Sequence, residues 1–525
     1  MNIWLSRRIV MFDRRDFLKS GAAVGASALL APSILGATDT TPNFSDYKAI
    51  VVLALEGGND GYNTFIPIGA GDDEYGYNAY LKAREAIAVR NKDLSSELKN
   101  AMNANGDLEL GKGSGNLYYE QDNALENYQS GFYAHNKGYD KDGNTLNLNF
   151  NNKIGTHGYM PELANLTNQG KVAVVSNVGN LYEPTTRDAI MNARATLPPF
   201  LMAHDHQFSL AANGNALNLR DFGLFGKLHD AWKSLDGDNI YGMNTALFQS
   251  CHMLYGRLSN PTIFNRNGVS LFSSLNYRYE VYTDMISSWK RKQNYKRYYN
   301  NLRDHSFKVV QEIKDVWEER DDIYENLLGS YGEKITTPTD DSWAAIGHGG
   351  IGVKWEPDLL SAAKLIKIGK DSGLKRQIVY IRMASFDTHG NQREFHGKYL
   401  RSLDTAIGKF QRIMKKLGLE ESVTTISMSD FGRSIGANSD GTDHAWGNNL
   451  FVIGGAVKGG LYGKQASLKL GGEDDMSYKG RLIPTTSMSQ YYNTILEWFG
   501  ADEDLRNNLL VDLKNFDNKN LGFMA

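Results

Sequence analysis

Residues 377–383 read QIVYIRM and lead directly into ASFDTH at residues 384–389. The first stretch has the length and the apolar, β-branched character of a buried strand, and an aspartate and a histidine follow it. The arrangement recurs where VTTISM at residues 423–428 leads into SDFGR at residues 429–433. Two strand-like runs that are each followed by acidic or cationic side chains predict a sheet with a functional site at the carboxyl ends of its strands.

Further elements extend this pattern along the chain. Strands are predicted at Ala49–Leu55 and Val172–Ser176, and helices at Leu359–Ile368 and Tyr399–Leu417. A shorter helix is expected near Tyr80–Val89, within a polar excursion. Strands that alternate with helices predict an α/β fold, in which a mostly parallel sheet carries helices on both faces.

The middle of the chain has a different character. Residues 284–328 are charged and rich in tyrosine, and their apolar positions recur three and four residues apart. This period is typical of amphipathic helices, whose charges form a solvated face. We therefore expect a helical insertion at about 210–345.

The acid-and-histidine motifs predict a metal site. The carboxyl ends of neighbouring parallel strands meet at one crevice, so Asp387 and Asp430 are expected there together. Asp387 and His389 are two residues apart, which in an extended segment directs both side chains to one side. His444, in Thr442-Asp443-His444, precedes another apolar run. Carboxylate and imidazole ligands suit zinc, manganese or iron, whereas a carboxylate-only site suits magnesium or calcium.

Asp60 follows the first predicted strand within EGGNDG at residues 56–61. The glycines indicate a sharp exit from the strand. Asp60 is then expected at the carboxyl end of its strand, at the same edge of the sheet as Asp387 and Asp430, and it is a candidate ligand. The alternative is a turn aspartate that accepts hydrogen bonds from its own backbone.

The N-terminal region predicts export. Arg14 and Arg15 precede an apolar stretch at residues 21–30 and a small-residue cleavage candidate at residues 35–37. This order is typical of a twin-arginine signal peptide at residues 1–37, the alternative being a basic patch on an ordinary helix. The apolar core is too short to span a bilayer, and no later run reaches the required ~20 residues. We expect a periplasmic or secreted protein that uses the twin-arginine export machinery and has no transmembrane anchor after cleavage.

Composition excludes some classes of function. The chain has 525 residues and a net charge of −3, with no basic stripe or RNA-binding aromatic motif, so a nucleic-acid partner is not expected. Its one cysteine, Cys251, cannot form an intrachain disulfide. A buried thiol is expected there, the alternative being a catalytic nucleophile.

Several motifs together resemble one bacterial family, the domain of unknown function 1501. They are LEGGNDGYN at 55–63, FDTHGNQ at 386–392, SDFGR at 429–433, GTDH at 441–444, GGAVKGG at 454–460 and WFG at 498–500. The family is grouped with the alkaline phosphatase and sulfatase superfamily. The resemblance implies an alkaline-phosphatase-like three-layer α/β domain over residues 44–525, which includes the insertion.

The resemblance also implies a divalent metal, such as zinc, manganese or calcium. Its first site would consist of Asp387, His389 and His444, and its second would retain Asp60 and Asp430. Phe431 stands where the superfamily has a ligand, and a phenyl ring cannot bind a metal.

The superfamily further implies a nucleophile after the second strand. Pro184-Thr185-Thr186-Arg187 supplies the candidates: Thr185 or Thr186 to attack and Arg187 to hold an oxyanion. A polar turn is the alternative for this segment.

Four other residues resemble parts of the family pattern or adjoin the motifs. His204, His206 and His157 are candidates for a ligand or a substrate contact, with a surface loop as the alternative. Arg433 is a candidate bidentate partner for an anionic substrate, or a salt-bridge partner of a nearby carboxylate.

Two functions fit the sequence. One is a metal-dependent hydrolase of phosphate or sulfate esters. The other is a non-catalytic protein on the same fold, with a degenerate metal site, that binds a glycan or another exported protein. The converging ionisable groups favour the first function, while Phe431 and the indistinct nucleophile favour the second.

Overall fold

The computed structural model describes most of the chain from residue 41 onwards. The described residues are 41–69, 74–90, 93–103, 107–110, 131–135, 138–139, 145–146, 150, 153–232, 234–235, 239, 241–249, 251–265, 313, 315–317, 319–330, 332–338 and 355–525. The signal peptide predicted at residues 1–37 and residues 284–312 of the predicted insertion lie outside them.

The strands of the described residues fall into one large sheet and three small ones. They are β1 (Lys48–Leu55), β2 (Phe65–Pro67), β3 (Phe132–Ala134), β4 (Gly138–Tyr139), β5 (Thr145–Leu146), β6 (Ile154–His157), β7 (Val172–Gly179), β8 (Asn244–Leu247), β9 (Thr262–Phe264), β10 (Arg376–Met383), β11 (Val423–Ser429), β12 (Arg433–Ala437), β13 (Thr442–His444), β14 (Asn448–Ile453), β15 (Gly460–Tyr462) and β16 (Thr486–Ser487).

The α-helices vary from one turn to seven. They are α1 (Gly61–Thr64), α2 (Tyr77–Arg84), α3 (Ser95–Asn100), α4 (Pro161–Asn168), α5 (Arg187–Met191), α6 (His204–Asn213), α7 (Leu224–Ala231), α8 (Glu356–Asp371), α9 (Gln392–Lys416), α10 (Met488–Phe499) and α11 (Glu503–Leu509). Short 3-10 helices lie at Glu85–Ile87, His252–Leu254, Asp321–Tyr324 and Leu513–Asn515.

The large sheet has the order β15-β7-β14-β11-β1-β10-β8-β9, with β16 also paired to β7. Strand β14 runs antiparallel to both of its neighbours, and the other pairs are parallel. The small sheets are β12-β13, β2-β6-β3 and β4-β5. The predicted mostly parallel sheet is confirmed.

The sheet is buried on both faces because successive side chains of a strand alternate between them. In β1, Val51 and Leu53 pack into one core with apolar residues of α4, α8 and α9. Ile50 and Val52 pack into the other core with residues of α6, α7 and α10. This gives the predicted three layers, with the central strands as continuous apolar runs.

The predicted insertion is not wholly helical. Strands β8 and β9 lie within residues 210–345 and extend the central sheet beyond β10, and α6 and α7 cover one face of it. Part of this region therefore belongs to the sheet and its core. Strands of four and three residues are too short to show a period in the sequence, which is why the pattern concealed them.

Candidate metal centre

The acidic residues of the site follow the two parallel strands on either side of β1. Strand β1 lies between β10 and β11, and its last residue, Leu55, pairs with Met383 of one and Ser429 of the other. Asp387 lies in the loop after β10, and Asp430 directly follows β11. The carboxyl ends of such strands form the crevice in which open α/β sheets bind ligands.

Asp387 is surrounded by three histidines. Its Oδ1 lies 3.2 Å from Nε2 of His389, 3.3 Å from Nε2 of His444 and 3.6 Å from Nε2 of His204. One ligand atom from each of His204, Asp387 and His444 lies within 4.8 Å of the others, a spacing that suits a single ion. The Asp387 side chain is 45% exposed, so the cluster opens to solvent.

His444 is turned towards Asp387 by a backbone carbonyl. The residue ends β13, and its Nδ1 lies 2.8 Å from the carbonyl oxygen of Met202. Because a carbonyl can only accept, Nδ1 carries a proton, and in the neutral imidazole the lone pair lies on Nε2. Ligating histidines are commonly oriented in this way, and Nε2 of His444 is thus prepared to bind a metal.

His204 is oriented in the same manner by Asp430. It begins α6, and its Nδ1 lies 2.6 Å from Oδ2 of Asp430, which also accepts hydrogen bonds from the Gly57 amide. A carboxylate behind a histidine whose other nitrogen faces a metal is a recurrent arrangement. Asp430, predicted as a ligand, therefore lies behind His204, and His204 takes the position facing Asp387.

His389 completes the cluster on its exposed side. Its Nε2 lies 2.8 Å from Nε2 of His444, and its Nδ1 lies 3.6 Å from Oδ1 of Asp443. Two ring nitrogens at this distance need a proton or a cation between them, because two lone pairs repel each other. The structure thus brings together the three residues predicted for the first site, Asp387, His389 and His444.

Phe431 is the apolar floor of the cluster. Its ring centroid lies 4.7 Å from that of His204 and 4.6 Å from that of His444. Gly58 lies against the same ring with φ +78°, and a Cβ there would come within 2.7 Å of it. Only glycine adopts this backbone without displacing the ring. Phe431 therefore cannot ligate, but it holds both imidazoles in place.

Arg433 is buried and holds three segments of the chain together through its guanidinium. Its guanidinium donates to the carbonyl oxygens of Gly58 at 2.8 Å and Thr442 at 3.0 Å, and it forms a short ion pair with Asp387. Its side chain is fully buried, so it has no face left for a substrate. The salt-bridge alternative is the one found, and Arg433 fixes Asp387 towards the histidines.

Charges within the cluster shift its ionisation. Burial raises the pKa of Asp387, but hydrogen bonds from His204, His444 and Arg433 outweigh this and hold the pKa well below its ordinary value. Hydrogen bonds to Asp387 and Asp430 raise the pKa of His204 from 6.5 to about 9. Burial, with the charge of Arg433, lowers the pKa of His389. The cluster therefore favours positive charge between Asp387 and Asp430.

Asp60 does not join this cluster. Arg84 of α2 donates to both of its carboxylate oxygens, at 2.6 and 2.7 Å, and both side chains are fully buried. Asp60 also caps α1 by accepting from the Asn63 amide at 3.1 Å, as the turn alternative predicts. A second site of Asp60 and Asp430 is thus not assembled, because the guanidinium of Arg84 already neutralises the Asp60 carboxylate.

The proposed nucleophile segment also lies apart. Thr186 accepts from the Ala189 amide and caps α5, while Arg187 donates to the Gly471 carbonyl at 2.8 Å. Within the described residues, no hydrogen bond or ion pair joins Thr185, Thr186 or Arg187 to the histidine cluster. Their arrangement gives no support to a side-chain nucleophile beside the ion.

The remaining candidates are outside the centre as well. The His206 ring packs on Phe200, with centroids 4.3 Å apart. Burial holds the pKa of His157 well below its ordinary value, so this histidine is neutral. Cys251, expected to be buried, is partly buried. Burial raises the pKa of its thiol to about 12, and a protonated thiol is a poor nucleophile.

Comparison with known protein families agrees with the motifs. Residues 369–496 match the family described as "Protein of unknown function (DUF1501)", a stretch that contains Asp387, His389, Asp430 and His444. Residues 11–31 match the twin-arginine translocation pathway signal sequence. No curated protein matches the chain. Of the helices in the described residues, none has the length and apolar character needed to cross a membrane.

Distant similarities exist among solved structures. The PsFucS1 sulfatase from Pseudoalteromonas sp. is 12% identical, with a TM-score of 0.29 over 70% of this chain and 68% of that one. The phosphonate monoester hydrolase of Silicibacter pomeroyi is 10% identical, with a TM-score of 0.28 over 65% and 69%. The protein named Ps i-CgsB is 13% identical, with a TM-score of 0.30 over 69% and 71%.

The family match confirms the resemblance of the strand-end motifs, and the signal match confirms the predicted route out of the cytoplasm. The chain is therefore an exported protein, carried by the twin-arginine machinery to the periplasm or beyond, whose residues 369–496 match the DUF1501 family.

Proposed function

We propose that this protein is an exported metal-dependent hydrolase that acts on phosphate or sulfate esters. The observation that carries the proposal is the convergence of one ligand atom each from His204, Asp387 and His444 within 4.8 Å. Two imidazoles and one carboxylate suit zinc or manganese better than magnesium or calcium, which prefer oxygen ligands.

The donor set fits such an ion for a specific reason. Each of the two histidines uses Nδ1 for another partner, the Met202 carbonyl for His444 and the Asp430 carboxylate for His204. Both therefore direct Nε2 towards Asp387. His389, whose Nε2 lies 3.2 Å from Oδ1 of Asp387, is available as a fourth ligand.

When bound, a divalent ion supplies Lewis-acid polarisation of the ester and stabilises the negative charge that develops on the transferring group. The chain's own residues hold and shield this position. Arg433 restrains Asp387, and Phe431 packs beneath the imidazoles. The rigid support matters because small displacements of catalytic groups cost large factors in rate.

His389 is the group best suited to proton transfer if it does not ligate. Its side chain is 46% exposed, and its lowered pKa keeps the imidazole neutral at pH 7. A neutral, accessible histidine can accept a proton from an attacking water. Attack by water is consistent with the separation of Thr185 and Thr186 from the centre.

A second candidate is a metal-dependent binding protein without turnover. It is favoured by the engagement of Asp60 with Arg84 and by Phe431, which together leave one ion site where the superfamily has two. A single ion can still polarise a bound molecule. The hydrolase and the binding protein therefore require the same metal, and they differ only in whether the bound ester is hydrolysed.

Metal analysis of the exported protein, followed by assays with nitrophenyl phosphate and nitrophenyl sulfate, tests the proposal. We expect about one zinc or manganese per chain, and ester hydrolysis that a chelator abolishes and the metal restores. His444→Ala should lose both metal and activity, while His206→Ala, a matched histidine outside the centre, should keep them. A metal-free wild-type protein that is indifferent to chelator rules out both candidates, and bound metal without turnover supports the second.

A further inference from the structure

An open cleft of about 1230 Å³ lies between α5, the loop at residues 464–485 and the segment at residues 74–75. Its volume exceeds the ~300–1,000 Å³ of a typical small-molecule pocket, so it suits an extended ligand. Its base is apolar and consists of Leu181, Ile483 and Phe516, which pack with Trp446 in one hydrophobic cluster. Neither Asp387 nor the histidines around it line this cleft.

Tyr478 presents an aromatic ring to the cleft. Its side chain is 67% exposed, and its backbone has φ +63°, which is uncommon for a tyrosine. The guanidinium of Arg187 lies 4.3 Å from the ring centre and is itself anchored, since its Nη1 donates to the Gly471 carbonyl at 2.8 Å. This cation–π contact fixes the ring. An aromatic ring that is fixed and yet exposed, on a strained backbone, indicates a role in binding.

A second tyrosine lines the cleft from another segment. Tyr75 is 41% exposed, and contacts of the residue before it hold it in place. The Glu74 carbonyl accepts from the Leu468 amide at 2.7 Å. The Glu74 carboxylate accepts from the Ser467 hydroxyl at 2.7 Å and pairs with Lys469 at 3.0 Å. Two exposed tyrosine rings from different segments are thus held beside one cleft.

The charges that line the cleft nearly cancel. The carboxylates belong to Glu74, Asp188, Glu473 and Asp474, and the cations to Arg187, Lys464 and Lys469. Two of the carboxylates already have cationic partners, Lys469 for Glu74 and Arg194 for Asp188. Such a mixture offers acceptors and donors to hydroxyl groups without selecting a ligand of either charge. The cleft therefore favours an uncharged polar ligand.

The lining does not suit a peptide. None of the described residues that line the cleft belongs to a strand, so an extended peptide finds no strand edge to which it could add. The three residues of the apolar base are each at most 5% exposed, so they leave no apolar groove for an amphipathic helix. An oligosaccharide needs neither feature, because it binds through hydroxyl groups and ring faces.

We propose that this cleft binds an uncharged, extended oligosaccharide, with sugar rings stacked on Tyr478 and Tyr75 and hydroxyl groups bonded to the carboxylates and Lys464. The C–H face of a pyranose is apolar and its rim is polar, which matches aromatic rings surrounded by donors and acceptors. A β-1,4-linked chain with equatorial hydroxyl groups is flat and extended, as a long open cleft requires. The proposal does not rest on the metal centre or on hydrolysis.

Calorimetric titration of the exported protein with three hexasaccharides tests this binding. Cellohexaose and xylohexaose are uncharged β-1,4-linked chains, and hexagalacturonate is the anionic comparison. We expect at least one uncharged probe to bind more tightly than hexagalacturonate. Raising the ionic strength should leave its affinity unchanged, because an uncharged ligand has no charge to screen.

Variants separate the tyrosine rings from general surface effects. Tyr478→Ala should weaken binding of the uncharged probe by about tenfold, while Tyr478→Phe keeps the ring and most of the affinity. Tyr255→Ala, the same change at a partly exposed tyrosine outside the cleft, should bind as the wild type does. His444→Ala should also bind normally, which distinguishes this site from the metal centre. No binding of either uncharged probe, tighter binding of hexagalacturonate, or unaltered binding by Tyr478→Ala overturns the proposal.

Discussion

Nδ1 of His204 and Oδ2 of Asp430 lie 2.6 Å apart, although 226 positions separate the two residues in the chain. This hydrogen bond turns the free nitrogen of His204 towards Asp387 and gives Asp430 its role. In the proposed metal centre, Asp430 would orient His204 from behind, and Asp387 would meet the ion directly. The two aspartates, which follow the strands on either side of β1, are therefore expected to respond differently to substitution.

Asp387→Asn should abolish metal binding, whereas Asp430→Asn should weaken it by about 10- to 100-fold, the range typical of partners behind a ligand. The first variant removes a ligand charge, and the second removes only the acceptor that orients His204. Competition with a chelator of known affinity measures both. Equal losses in the two variants would show that Asp430 itself binds the ion.

His204→Ala should lose the metal although His204 lies outside residues 369–496, because its Nε2 faces Asp387 at 3.6 Å. His206→Ala provides the control, as it lies in the same helix and packs on Phe200. Metal content after gel filtration compares them. Retention of a full equivalent of metal by His204→Ala would remove this residue from the centre.

The protein stripped of metal should lose stability as pH rises through about 9. The pKa of His204 is raised from 6.5 to about 9 by hydrogen bonds to Asp387 and Asp430. A raised pKa means that this contribution is fully present below pH 6.5 and disappears as the imidazole loses its proton. Urea unfolding in chelator at pH values across this interval measures the slope. His204→Gln should flatten it, and an unchanged slope would assign the titration to other groups.

Asp60→Ala and Arg84→Ala should each destabilise the fold by about 3–5 kcal/mol, because each leaves a buried charge without its partner. Asp188→Ala serves as the control, since the pair of Asp188 with Arg194 is largely exposed and is worth less than about 1 kcal/mol. Urea unfolding compares the three. A stable Asp60→Ala protein that has lost metal would instead identify Asp60 as a ligand.

Thr186→Ala should cost about 1 kcal/mol, the usual effect of removing a helix N-cap, and should leave hydrolysis of a small ester unchanged. Its hydroxyl accepts the Ala189 amide at the start of α5 and makes no contact with the histidine cluster. Thermal unfolding and steady-state rates measure the two effects. A folded, metal-loaded variant that no longer hydrolyses the ester would restore Thr186 as the nucleophile.

The main strands could be predicted because their evidence is local. A strand that is buried on both faces needs a continuous run of apolar or β-branched residues. Such runs occur at residues 49–55, 377–383 and 423–428, which correspond to β1, β10 and β11. Helix α9 was harder to delimit, since it begins at Gln392, seven positions before the predicted Tyr399. Its first two turns are polar in sequence, and the buried His396 and Gln392 become core residues only through tertiary contacts.

Some residues of the candidate site could likewise be predicted from local sequence, and others only from tertiary contacts. The convergence of Asp387, His389 and His444 could be predicted from the sequence, because each lies beside a strand and strand ends in such a sheet meet at one crevice. The local sequence around His204 offered only a histidine pair in a polar segment, and that around Asp60 suited a ligand and a turn equally well.

The sequence by itself determined the parallel sheet, the export signal and the sheet edge at which the ionisable side chains lie. Hydrophobic period and motif order are properties of residues close together in the chain, so they can be read locally. Only the tertiary structure decided that His204 faces Asp387, that Arg84 neutralises Asp60, and that Asp430 lies behind His204. These contacts join segments far apart in the chain. Their geometry follows from the packing of helices α2 and α6, which carry Arg84 and His204, and no local pattern encodes that packing.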